Sequence, residues 1–252
     1  MSVTYVVRDG VAWVTINRPE ARNSLNKAVR DGLFDAVHTF NGDATAQVLV
    51  LTGAGDKAFC AGGDLKEMSS ERLTIPPVDF VPQFGRNIRV DKPTIAAVNG
   101  VAFAGGFLLA QTCDLCVAST TASFAITEAR VGRGSPWAAP LPLMIPRRIA
   151  TELLLTAAPL TAQRAYDIGF VNRLAEPADL IDVAQRLARQ IAANAPLSVA
   201  AGKQTALLTA EQPLSAAFDT AEELWAPVYL SGDAQEGMAA FAEKRPPAWK
   251  GV

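Results

Sequence analysis

The sequence is poor in the residues from which self-contained catalytic centres are usually built. It has one histidine, His38, and this falls inside a helical pattern, so a Ser-His-Asp triad has little support. Three cysteines in 252 residues make no disulfide framework, which fits a reducing cytoplasm. Cys113 and Cys116 have CxxC spacing, but no second pair and no nearby histidine accompany them, so no metal or redox centre is indicated. Cys60 reads as a packing residue of a turn. The longest apolar run, residues 101–110, is too short to cross a bilayer. The residues after Met1 run straight into a strand pattern without signal-peptide character. A net charge of −2 provides no broad basic face. Low-complexity linkers and clean internal repeats are also absent. The expectation is a cytoplasmic protein with neither nucleic acid nor membrane as partner.

What is present is a chain that is 50% hydrophobic, enough for one large core. Residues 4–7 and 11–16 are β-rich runs around Asp9-Gly10, a hairpin signal. A helix is predicted from about Asn26, with Val29, Leu33, Ala36, Val37 and Phe40 on one face. Strands are predicted over 47–52, 93–98, 115–118 and 122–124, and a short helix over 64–68. Residues 71–84 are irregular and proline-bearing and read as a mobile loop over a site. Residues 85–90 read as helical. Beyond Ala138 helices dominate: 141–145, 147–155, 161–168, 178–193, 196–208, 214–229 and 234–243, with one short strand over 170–174. Alternation of strand and helix followed by helices alone indicates an α/β fold.

Two glycine turns stand out. Residues 96–114, AAVNGVAFAGGFLLAQTCD, pass from a buried strand through Gly105-Gly106 into an apolar helix. A strand that turns through glycines into a helix leaves unpaired N–H groups at the positive end of the helix dipole. Such a place suits an anion, or an oxygen about to become one. A second glycine turn, residues 58–65 (AFCAGGDL), lies upstream.

At these turns the sequence resembles the enoyl-CoA hydratase/isomerase (crotonase) family. The matching stretches are residues 57–68 (KAFCAGGDLKEM) and 93–100 (PTIAAVNG), then Gly105-Gly106, Cys113-Asp114, Phe124, Glu128 and Gly132. Residues 152–156 (ELLLT), Ala165, 169–172 (GFVN) and 243–247 (EKRPP) continue the agreement in order. The resemblance implies an α/β crotonase-like spiral of ββα units over residues 1–195, carrying an acyl-CoA site. A helical C-terminal region, 196–252, would mediate a homotrimer or a dimer of trimers. The implied substrate is an acyl-CoA thioester, with coenzyme A part of the substrate and neither a separate cofactor nor a metal.

The resemblance assigns the backbone N–H groups of Gly63 and Gly105 to an oxyanion hole for a thioester enolate, and Glu128 to acid/base catalysis. Gly63 stands where alanine is commoner, a change a backbone donor survives. Hydratases of the family carry two glutamates, and the first position is here Leu108, which neither accepts a proton nor orients a water. One glutamate at the position of Glu128 is the pattern of the family's Δ3,Δ2-enoyl-CoA isomerases. Leu108 would then line the acyl pocket, and burial would raise the pKa of Glu128 unless Arg130 or Arg133 turned inward. Ala61, Asp64 and Leu65 match substrate-lining positions. Arg22, Lys57, Lys66 and Lys250 match positions that meet the nucleotide of coenzyme A. After Gly132 the family's Pro-Gly-Gly-rich turn is replaced by Arg133, Ser135 and Trp137, which points to an unusual acyl group, cyclic or polar. Open alternatives are a hydratase that has lost one glutamate or replaced it from Glu67 or the 71–84 loop, a decarboxylase or hydrolase of the same superfamily, and a catalytically poor acyl-CoA-binding protein.

Overall fold

A computed structural model describes all 252 residues. The chain opens with a hairpin, β1 (Val3–Arg8) and β2 (Val11–Ile16), then α1 (Lys27–Gly42). Three turns of a spiral follow: β3 (Val48–Gly53), β4 (Ala58–Cys60) and α2 (Leu65–Ser70); β5 (Thr94–Val98), β6 (Val101–Phe103) and α3 (Gly105–Thr112); then β7 (Leu115–Ser119) and β8 (Ser123–Ala125). The rest is α4 (Leu141–Met144), α5 (Arg147–Thr156), β9 (Leu160–Thr161), α6 (Ala162–Asp167), β10 (Arg173–Ala175), α7 (Leu180–Ala192), α8 (Pro196–Glu211), α9 (Leu214–Leu230) and α10 (Gly232–Glu243).

Each spiral turn sends its first strand to a large sheet, ordered β1-β2-β3-β5-β7-β10, and its second to a small sheet, ordered β4-β6-β8-β9. Pairing is parallel except for the β1–β2 hairpin and β8–β9. Asp9 and Gly10 both have positive φ (50° and 74°), the geometry a tight hairpin of this twist requires. The large sheet is buried on both faces, so its central strands are continuous apolar runs. Leu49, Leu51, Ala96 and Val98 face the main core, while Val48, Val50, Ile95 and Ala97 face Leu180, Ala184, Leu187 and Ala188 of α7.

The predicted helix over residues 85–90 does not form. Asn87 instead donates its side-chain amide to Val78 O (2.7 Å) and Val81 O (2.8 Å), and Phe84 pairs with Ile88 in an isolated bridge. A side chain that satisfies backbone carbonyls in this way competes with the helical ladder. The strand expected at 170–174 lies at Arg173–Ala175.

The two glycine turns pack directly together. A Cβ on Gly106 would lie 1.9 Å from Cys60 O, and one on Gly62 would lie 2.9 Å from Ala104 Cβ and 3.6 Å from Gly105 N. Gly106→Ala therefore has no local relief, because the obstacle is backbone, and should destabilise by about 2 kcal/mol or more. By contrast Gly202, inside α8 with nothing within 4 Å of a built Cβ, should gain about 0.5–1 kcal/mol as alanine. Urea midpoints of the two variants test this; a Gly106→Ala protein as stable as the parent would contradict the packing.

Candidate active site

The first glycine turn is held by residues 22–25, which run beside it. Ala61 N–H donates to Arg22 O (3.0 Å), Leu25 N–H to Gly62 O (2.8 Å) and Asp64 N–H to Leu25 O (3.4 Å). Gly62 N–H is directed at Cys60 Sγ, 3.5 Å away. Of the four consecutive N–H groups from Ala61 to Asp64, only that of Gly63 has no acceptor. Buried Asn23 fixes this arrangement by donating to Ala54 O (3.0 Å) and Ala58 O (2.7 Å). The sequence reading missed its role, although an asparagine in a polar turn with left-handed backbone (φ 56°) is a signal of it.

The second turn is strained. Ala104 has φ 50° and ψ −118°, a region that costs a non-glycine residue of order 1–3 kcal/mol. Its N–H donates to Ala125 O (2.9 Å), which ties the turn to β8. Gly105 follows as the first residue of α3, so its N–H has no acceptor within the helix and lies beside Gly62. The structure thus brings the two predicted donors, Gly63 and Gly105, to adjoining turns. A Cβ on Gly63 would meet only Met68 Sδ (2.8 Å), the flexible end of a side chain.

Glu128 begins a short 3-10 turn after β8 and is 9% exposed. Its Oε1 accepts a hydrogen bond from Trp137 Nε1 (2.9 Å), and its Oε2 is buried without a partner. Desolvation by burial raises its pKa above the ordinary glutamate range, opposed by backbone hydrogen bonds and by the Trp137 indole. No arginine contributes to the shift. Arg130 is exposed, and Arg133 donates Nη1 to Leu73 O (2.7 Å) and its backbone N–H to Glu128 O (2.9 Å).

Trp137, 8% exposed, packs its ring 5.9 Å from that of Phe107, which also contacts Phe124 (5.6 Å) and Phe170 (4.9 Å). Its carbonyl accepts from Gln111 Nε2 (2.8 Å), and Gln111 Oε1 is buried and unpaired. Gln111 lies three residues after Leu108 on α3, and only that spacing could have drawn notice to it. Leu108 is 6% exposed in the main core cluster.

Other predicted residues have structural partners. Asp64 caps α2, accepting from Lys66 N (3.2 Å) and Glu67 N (3.3 Å), and pairs with Arg18 (2.6 Å), which holds its carboxyl below the usual range. Glu67 accepts from Arg30 (2.7 Å) and from Lys27 N (2.9 Å), so it is already engaged. Leu65 is 59% exposed, and Arg22, Lys57, Lys66 and Lys250 are exposed. The backbone of Lys250 donates to Asp233 (2.7 Å). The 71–84 loop is irregular, with Arg30 stacked 4.1 Å over Phe80. Burial pushes the Cys60 thiol up to about 12, which leaves it protonated and unreactive at neutral pH. No three His, Cys, Asp or Glu side chains converge as a metal-ligating group, and no helix is long and apolar enough to cross a membrane.

A family model described as enoyl-CoA hydratase/isomerase matches residues 7–252. The chain is 39% identical to (E)-benzylidenesuccinyl-CoA hydratase of Thauera aromatica, covering 100% of both. It is 37% identical to carnitinyl-CoA dehydratase of Escherichia coli K12, covering 98% of both. Among solved structures, an enoyl-CoA hydratase from Mycobacterium tuberculosis H37Rv superposes with a TM-score of 0.92 at 41% identity, over 100% of this chain and 99% of that one. The mixed α/β spiral with parallel sheets is the fold of these neighbours.

Two outcomes follow from the setting of Glu128. Trp137→Phe removes a donor that favours the carboxylate, so the Glu128 pKa should rise further, read by NMR titration of 13C-labelled glutamate; an unchanged or lower value would refute the assignment. The native state also holds the Glu128 proton to higher pH than the unfolded chain does. Stability is therefore lost as pH rises from the ordinary glutamate pKa through the raised one. Glu128→Gln should accordingly melt above wild type at pH 8, with the gain shrinking toward pH 4; a lower melting temperature at pH 8 would show the carboxylate to be stabilising.

Proposed function

The chain belongs to the enoyl-CoA hydratase/isomerase family, and from that premise we propose that Glu128 alone moves protons beside a thioester enolate. The observation that carries this reading is one buried carboxylate with an unpartnered oxygen, in a site whose other glutamate position is Leu108. With a 3-enoyl-CoA, Glu128 takes a proton from C2, and the electrons pass to the thioester oxygen as a dienolate. Return of the proton at C4 gives the 2-enoyl-CoA. The dienolate oxygen lies against the Gly63 and Gly105 N–H groups, each such donor contributing about 3 kcal/mol at the transition state. A carboxylate whose pKa is raised by burial is a stronger base for this step. The Leu108 side chain keeps water from the reacting carbons.

A second reading, addition or removal of water across a 2-enoyl-CoA, is favoured by the names of the relatives, a hydratase and a dehydratase. There the free Oε2 of Glu128 would orient the water without a second carboxylate. Decarboxylation and thioester hydrolysis use the same hole but have no observation of their own here. The first relative's benzylidenesuccinyl group, and the Arg133–Trp137 segment, support an acyl group that is not a plain straight chain. Lys57, Lys66 and Arg22 supply exposed cations for the nucleotide phosphates, with Lys250 from a neighbouring subunit. Exposed Phe218, Leu230 and Phe241 on α9 and α10 support a homotrimer, or a pair of trimers.

The decisive experiment assays wild type and Glu128→Gln on 3-enoyl-CoA and 2-enoyl-CoA. Isomerisation that falls by about 100-fold or more in the variant, with little hydration, is expected. Efficient hydration by wild type establishes the second reading. Full activity of Glu128→Gln in either direction would remove Glu128 from the chemistry.

A further inference from the structure

Arg133 carries a charge that the chain itself leaves unanswered. Its Nη2 is buried with no hydrogen-bond partner. Its Nη1 is committed to Leu73 O (2.7 Å), and the guanidinium joins none of the ion pairs. Glu128, to whose carbonyl the Arg133 backbone is bonded, is not its charge partner, since no arginine acts on the Glu128 carboxyl. A buried, unsatisfied donor on a group that cannot be deprotonated is costly and calls for an acceptor.

The position of the guanidinium identifies the acceptor. Arg133 starts on the turn that carries Glu128 and reaches Leu73, whose own N–H is bonded to Met68 O (3.0 Å). Met68 Sδ in turn lies against Gly63. The side chain therefore runs from the segment that carries Glu128 to the segment that follows α2, the helix whose Met68 lies against Gly63. In the function proposed above, on which this step rests, the acyl group would lie between the Gly63 N–H and Glu128, next to the segment from which Arg133 extends. We infer that Arg133 is a specificity residue for an acyl-CoA whose acyl group carries a second, free carboxylate, one oxygen of which accepts from Nη2. Guanidinium matches this ligand because its N–H groups are fixed in direction and permanently charged.

Binding of saturated analogues tests the inference apart from catalysis, because no acid/base step converts them and the result is independent of Glu128. Dissociation constants are measured by calorimetry for succinyl-, glutaryl- and adipyl-CoA against their terminal carboxamides, on wild type, Arg133→Gln and Arg133→Lys. At least one acid should bind wild type about tenfold more tightly than its amide, the size of a charge-assisted hydrogen bond. The preference should disappear in Arg133→Gln and persist in part in Arg133→Lys. A wild-type preference below about fivefold for all three acids, or one that survives Arg133→Gln, overturns the inference. Should Arg133→Gln fail to fold, the lysine variant decides, an undiminished preference counting against Arg133.

Discussion

The site depends on one close approach between backbones. Helix α3 begins so near the end of β4 that Gly106 sits against Cys60 O with no room for a methyl group. Nothing larger than glycine permits this contact, and the contact sets the distance between the two turns. Once it is made, Gly62 lies against Gly105, so the two turns adjoin. The strain at Ala104 belongs to the same constraint. The chain must reverse between β6 and α3 within one residue, and the surrounding pairings to Ala125 and Leu108 hold it there. Backbone pinned by such packing cannot reorganise, which is the property that the role proposed for Gly63 and Gly105 would require as charge develops.

Much of this was legible in the sequence because glycine and asparagine report backbone geometry directly. The Asp9-Gly10 hairpin, the apolar runs of the large sheet and the periodic face of α1 follow from residue type alone. The strands of the small sheet were harder to see. β4 and β6 are three residues each and pair with partners distant in sequence, so no alternation survives to mark them. The false helix over 85–90 failed for a related reason. The Asn87 amide found carbonyls at Val78 and Val81, a choice visible only once the loop is folded.

Within the site, residue identity was easier to read than residue role. Glu128 and Leu108 were singled out by position and chemistry, and the structure adds that both are buried. Trp137 was named for the acyl group, and the sequence did not reveal that its indole is buried among aromatic rings and bonded to Glu128. Gln111 holds the Trp137 carbonyl and was not singled out at all. These contacts arise where an irregular segment folds back on α3, and no local pattern encodes that return.

The setting of Glu128 is a balance rather than a simple burial. Desolvation by burial raises its pKa, and each rise leaves less of the group as the carboxylate that a base must be. The Trp137 indole works against this by bonding to one oxygen in its charged form, while leaving the other without a partner. The residue that delivers this bond is held by Phe107 against its ring and by Gln111 at its backbone carbonyl. Helix α3 therefore begins at Gly105, the donor of the proposed chemistry, and about two turns later holds through Gln111 the residue bonded to Glu128. Because one short helix fixes both, a displacement of its first turn by a bulkier residue at Gly106 would move the Gly105 N–H and the Trp137 bond to Glu128 together.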